Sequence, residues 1–137
     1  MKKLKEIMLI DDSRGTNSLN KRLLEEMGIV ENISIALNGQ LALDYLTTRN
    51  EKGDYPSPDI IFLDIRMPVM DGYQFLDKYH ELAKEMQSNQ IIVMLTTSIN
   101  ELDIKRATNY ESVKGYQFKP LKKEHINELL EKLPLDL

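Results

Sequence analysis

The sequence predicts an α/β fold, a doubly wound parallel sheet of five strands alternating with five helices. Three observations predict it. Apolar runs of strand length alternate with segments of helical period five times along the 137 residues. The third run, Ile60-Ile61-Phe62-Leu63, is unbroken, as a strand buried on both faces requires. Acidic, hydroxyl or basic residues stand just past four of the five runs. Alternation of this kind gives parallel strands joined by crossover helices, and the carboxyl ends of such strands are where sites form.

The first strand, Ile7-Met8-Leu9-Ile10, is stopped by Asp11. Leu19, Leu23, Leu24 and Met27 then recur at helical spacing, and Gly28 ends that helix. Ile33, Ile35 and Leu37 alternate as in a half-buried edge strand, after which Asn38-Gly39 turns the chain. Leu43, Tyr45 and Leu46 mark the second helix, and Arg49 to Pro58 reads as a loop. Beyond the third strand, Tyr73, Leu76, Tyr79, Leu82 and Met86 follow at helical intervals. Ile91 to Leu95 make the fourth strand, Leu102 to Ala107 a short fourth helix, and Gly115 to Phe118 the fifth strand. Glu124 to Leu133 closes the chain with Ile126, Leu129, Leu130 and Leu133 on one face. No repeat or low-complexity tract interrupts residues 1–137, which read as one domain.

The second strand ends in Asn-Gly and offers no chemistry. Strand order 2-1-3-4-5 leaves it at the edge and keeps the four contributing strands adjacent. The right-handed crossover rule then sets the first helix on the face opposite the second, third and fourth.

Eighteen basic and twenty-two acidic side chains give a net charge of −4, which offers no bulk attraction to nucleic acid or to an anionic membrane. The absence of cysteine excludes disulfides, thiolate zinc sites and iron–sulfur clusters. The basic start is followed by too short an apolar run for a secretory signal, and no stretch approaches the ~20 apolar residues of a membrane span. The expected location is the cytoplasm.

Asp11, Asp12 and Asp64 all stand at strand ends, where three gathered carboxylates repel one another and lose solvation. A compensating cation resolves that conflict, and oxygen-only ligands select a hard one, Mg²⁺ before Ca²⁺. Lys119 adds a fixed positive charge and Thr96 a hydroxyl donor. Phosphoryl transfer is mostly positioning and neutralisation of charge spread over three oxygens, and ion, amine and hydroxyl can each meet one. A carboxylate can act as the nucleophile. Asp64 is the choice, because it ends the most apolar strand with contributing strands on both sides.

Four motifs then carry a resemblance: Ile-Asp-Asp at 10–12, Phe-Leu-Asp-Ile-Arg-Met-Pro-Val-Met-Asp-Gly at 62–72, Met-Leu-Thr-Thr-Ser at 94–98, and Gly-Tyr-Gln-Phe-Lys-Pro at 115–120. In order and at this spacing, they make the chain resemble the CheY-like response regulator receiver domain of two-component signalling, whose sheet is flavodoxin-like. The resemblance implies that Asp64 is the phosphoacceptor, that Asp12 ligates Mg²⁺, and that Asp11 helps directly or through the ion's water. It implies that Arg66 lends only its backbone carbonyl to the metal, and that Thr96 and Lys119 hold phosphoryl oxygens. Tyr116 matches an aromatic switch position, and the Lys119-Pro120 bond is expected to be cis. The implied donor is a sensor histidine kinase or a histidine phosphotransfer protein. The implied output is a protein contact on the fourth helix, fifth strand and fifth helix, with room for a phosphorylation-dependent homodimer. A stand-alone switch is expected, with phosphate sink or relay as alternatives.

Four positions bear on departures from the common pattern. Thr97 replaces Ala and could narrow access to Asp64, Leu121 replaces Phe, and Arg66 and Ser98 leave the phosphoryl lifetime open. A haloacid-dehalogenase-type phosphatase would need an acid two residues after its nucleophile, where this chain has Arg66. A flavin-binding module would need a phosphate cradle after the first strand, where Asp11-Asp12 repels phosphate. Tyr116 also fits plain packing, Asp71-Gly72 reads as a helix cap, and His80 and His125 read as surface residues.

Overall fold

A computed structural model describes residues 3–82, 91–97 and 100–132. The strands are β1 (Leu4–Ile10), β2 (Val30–Ala36), β3 (Ile60–Asp64), β4 (Ile91–Thr96) and β5 (Val113–Phe118). The helices are α1 (Arg14–Met27), α2 (Gly39–Leu46), α3 (Gly72–His80), α4 (Glu101–Ala107) and α5 (Lys123–Lys132). All strand pairs are parallel and the order is 2-1-3-4-5, as expected.

Period-two alternation sends successive central-strand residues to opposite faces. Met8, Ile10, Ile61, Leu63, Ile92 and Met94 pack with α2, α3 and Ala107 of α4. Ile7, Leu9, Ile60, Phe62, Val93 and Leu95 pack with Leu24 of α1 and Ile126 of α5. The first helix therefore lies opposite the next three, as right-handed crossovers require.

Three readings of the sequence are corrected. Leu19 is 69% exposed, and the inward positions of α1 are held by Asn17 and Asn20 together with Leu24. Ile35 is 42% exposed while Ala36 is buried, so β2 does not bury an Ile33/Ile35/Leu37 face. His125 is half-buried and its Nδ1 is sealed from solvent, so it is not a surface residue. The helix after β3 ends at His80, with Leu82 packed just beyond it. Met86, Ser98 and Leu133 lie outside the described residues.

Candidate functional site

Each expected residue sits where a ladder hydrogen bond carries its strand to the rim. Asp11 N–H donates to Ala36 O, Ile65 N–H to Leu95 O, and Lys119 N–H to Thr96 O. β1, β3, β4 and β5 therefore end at one rim, where Asp11, Asp64 and Lys119 meet. Asp11, Asp64 and Thr96 are buried, while Asp12 is exposed. One oxygen from each of Asp11, Asp12 and Asp64 lies within 4.8 Å of the others. Lys119 Nζ spans two of them, 2.6 Å from Asp11 Oδ2 and 3.0 Å from Asp64 Oδ1. The Lys119-Pro120 bond that follows is cis, as expected.

The surrounding chain fixes this geometry. Asp11 Oδ1 accepts from Ser13 N–H at 2.9 Å, and Ser13 in turn caps α1 by accepting from Thr16 N–H. Asn17 Nδ2 donates to the Asp11 carbonyl at 2.8 Å from inside the protein. Behind Asp64, α3 starts with a capping box between Asp71 and Gln74. Its first residue passes so close to the sheet that a Cβ on Gly72 would meet Asp64 O at 2.8 Å. Only glycine fits there. Between them, Met70 N–H donates to Pro68 O at 2.8 Å around Val69, whose φ of 71° makes a rare positive-φ γ-turn.

Electrostatics follow from burial. Desolvation raises the Asp64 carboxyl above its ordinary value, the Lys119 hydrogen bond pulls it back, and the Asp11 charge pushes it up again. Burial alone would lower Lys119, but hydrogen bonds to Asp11 and Asp64 outweigh it and the amine is raised. Among the described residues at this rim, three carboxylates face one ammonium, which leaves two negative charges to compensate. A divalent, oxygen-seeking ion fits that donor set, since nitrogen and sulfur ligands are absent from it.

Tyr116 is half-buried against the α2–α3 face of the core, with its hydroxyl sealed from solvent. Burial raises its phenol, and the Thr96 side chain moderates the rise. The Arg66 side chain is exposed, with its Nη2 3.5 Å from Asp103 Oδ2 on α4. Thr97 is exposed.

Residues 7–131 match the family model of the response regulator receiver domain. The chain belongs to the response regulator receiver family. The receiver is 31% identical over 127 residues to the probable methanogenesis regulatory protein FilR2 of Methanothrix harundinacea, covering 93% of this chain and 79% of that one. It is 29% identical to a stretch of the osmosensing histidine protein kinase SLN1 of Saccharomyces cerevisiae, covering 91% of this chain but 10% of the kinase. A two-component response regulator structure from Cytophaga hutchinsonii superposes with a TM-score of 0.85 at 29% identity, covering 96% and 97% of the two chains. Receivers serve two-component phosphorelays, generally accept phosphate on aspartate with Mg²⁺ at an acidic pocket, and pair with histidine kinases or phosphotransfer proteins. Such domains are typically signalling switches. No described helix is long and apolar enough to cross a membrane.

Sequence reasoning missed two residues of this neighbourhood. Asn17 had one signal, a polar side chain six residues after Asp11 on what should be an apolar helix face. Asp103 had none, because its bond to Arg66 joins residues 37 apart in the chain.

Proposed function

We propose that this receiver takes a phosphoryl group onto Asp64 from a phosphohistidine of a sensor kinase or phosphotransfer protein. An Asp64 carboxylate oxygen attacks phosphorus and forms the O–P bond. The N–P bond breaks, and its electron pair returns to the imidazole of the donor. Asp11, Asp12, Asp64 and the Arg66 carbonyl would hold Mg²⁺, which supplies neutralisation of the charge gathered on the phosphoryl oxygens. Lys119 gives up part of its bond to Asp64 and takes one phosphoryl oxygen, and the Thr96 hydroxyl donates to another. Moving Thr96 opens space beside the half-buried Tyr116 ring, which passes the change to the α4–β5–α5 surface and so to a downstream protein.

The observation that carries this reading is the Lys119 amine spanning Asp11 and Asp64 beside Asp12. Incubation with acetyl phosphate and Mg²⁺, read by intact mass, tests it. A gain of one phosphoryl group in wild type, absent in Asp64→Asn, is expected. No gain in wild type contradicts the reading, and steady turnover of p-nitrophenyl phosphate would make the protein a hydrolase instead.

A further inference from the structure

Resting on the phosphoacceptor reading, we propose that the Arg66 guanidinium has two alternative partners, Asp103 before phosphorylation and the Asp64 phosphoryl group after it. In this way the charge on Asp64 competes directly for the hold on α4.

Asp103 is where three elements meet. Its carboxylate takes Arg66 of the β3–α3 connection at 3.5 Å, and its carbonyl accepts from the Tyr73 hydroxyl of α3 at 2.5 Å. One turn later, the Arg106 guanidinium lies over the Tyr73 ring, 4.2 Å from its centroid. These polar contacts matter because α4 has little else. Ala107 is its only buried residue, and Leu102 is 77% exposed. A helix held so lightly changes position when one contact is lost.

Arg66 is placed to serve both partners. It is two residues from Asp64, a chain span of at most about 7 Å, which a long arginine side chain can turn back across. Its side chain is 76% exposed, so no packing resists the turn. An open groove of about 410 Å³ lined by Arg66, Asp71, Tyr73, Asp103 and Arg106 gives it room. The competition is unequal. Asp103 offers one long contact and one charge. A phosphoryl group carries nearly two charges and three acceptor oxygens, which a guanidinium meets with two parallel bonds. Unphosphorylated, Arg66 stays with Asp103 because Lys119 already occupies Asp64.

The test titrates the phosphoryl analogue fluoroberyllate, with Mg²⁺, into wild type, Asp103→Asn, Arg66→Ala and the double variant. Removing the competing carboxylate is expected to tighten binding about two- to fivefold when Arg66 is present, the range that an exposed ion pair allows. The same change in the Arg66→Ala background is expected to do nothing. Arg66→Lys, which keeps the charge but loses the fork, is expected to retain part of the effect. Amide exchange over Glu101–Ala107 should quicken when the analogue binds wild type, and should already be quick in Arg66→Ala. An Asp103→Asn effect that persists without Arg66, or α4 protection unchanged by the analogue, overturns the exchange of partners. A wild type that binds no fluoroberyllate overturns the phosphoacceptor reading, and this proposal with it.

Discussion

At the amino end of the sheet, acidic residues are satisfied by neutral partners, whereas at the carboxyl end they are crowded together. Glu6 accepts from the Ser34 and Tyr45 hydroxyls, each at 2.6 Å, and Asp59 accepts the Lys5 and Glu6 N–H groups at the start of β1. The Tyr45 phenol is pushed up to about 12 by burial and then by its bond to Glu6, so it stays a donor. At the other rim, Asp11 and Asp64 share a single amine among the described contacts, with Asp12 clustered beside them. Carboxylates of one kind therefore do two jobs. Those with neutral donors brace the fold, Asp59 through backbone N–H groups and Glu6 through two hydroxyls, and those left short of positive charge are poised to take up a cation.

The largest effects should come from disturbing the crowded rim. Lys119→Met removes from two buried acids the one cation that contacts them among the described residues, and should cost about 3 kcal/mol in metal-free buffer, the lower end for breaking a buried pair. Acid should relieve that loss, because protonating Asp64, whose carboxyl is already raised by burial, removes its repulsion with Asp11. Urea melts at neutral pH and near pH 4 check both halves. Mg²⁺ should stabilise the wild type by about 2.7 kcal/mol at a hundredfold excess over its dissociation constant, read as a shift in Tm.

Asp64→Asn should reverse sign with the metal. The Asp64 carboxyl is held above its ordinary value of 3.8, mainly by desolvation, so folding favours its protonated form. That contribution is full below the unfolded value and is lost as pH rises through the folded one. At neutral pH the ionised group weakens the metal-free protein, and the amide should melt higher in EDTA. In saturating Mg²⁺ the amide lacks a ligand oxygen charge and should melt lower. A variant that ranks the same way in both buffers would erase the contrast between the rims.

The satisfied rim should respond modestly and without regard to metal. Asp59→Ala should cost about 1.5 kcal/mol, the loss of a charged acceptor for backbone N–H groups, and leave the Mg²⁺ shift unchanged. Smallest of all, Val69→Gly should gain up to about 1 kcal/mol by relieving the positive φ in the turn behind Asp64, measured by urea melts.

Most of the site was legible because it follows from topology. A strict strand–helix alternation with polar strand ends brings Asp11, Asp12, Asp64, Thr96 and Lys119 to one rim whatever their separation. The inner face of α1 was not legible. Leucine periodicity favoured Leu19, but the helix starts against the Asp11 carbonyl, a buried acceptor that needs a donor, and Asn17 supplies it. Strand β1 begins at Leu4 rather than Ile7, and Asp59 satisfies the N–H groups of Lys5 and Glu6 beyond the apolar run. The burial of Ala36 rather than Ile35 depends on how far the neighbouring helices reach along an edge strand, which no local pattern encodes. Pairings such as Arg66–Asp103 depend on where a short, lightly packed helix settles.

Reduction of the acyl phosphate with borohydride, followed by peptide mapping, tests the central claim most directly. The account predicts homoserine at position 64 after treatment with acetyl phosphate and Mg²⁺, and aspartate unchanged at 11 and 12. Homoserine at either of those positions, or phosphate recovered on His80 or His125, would contradict it.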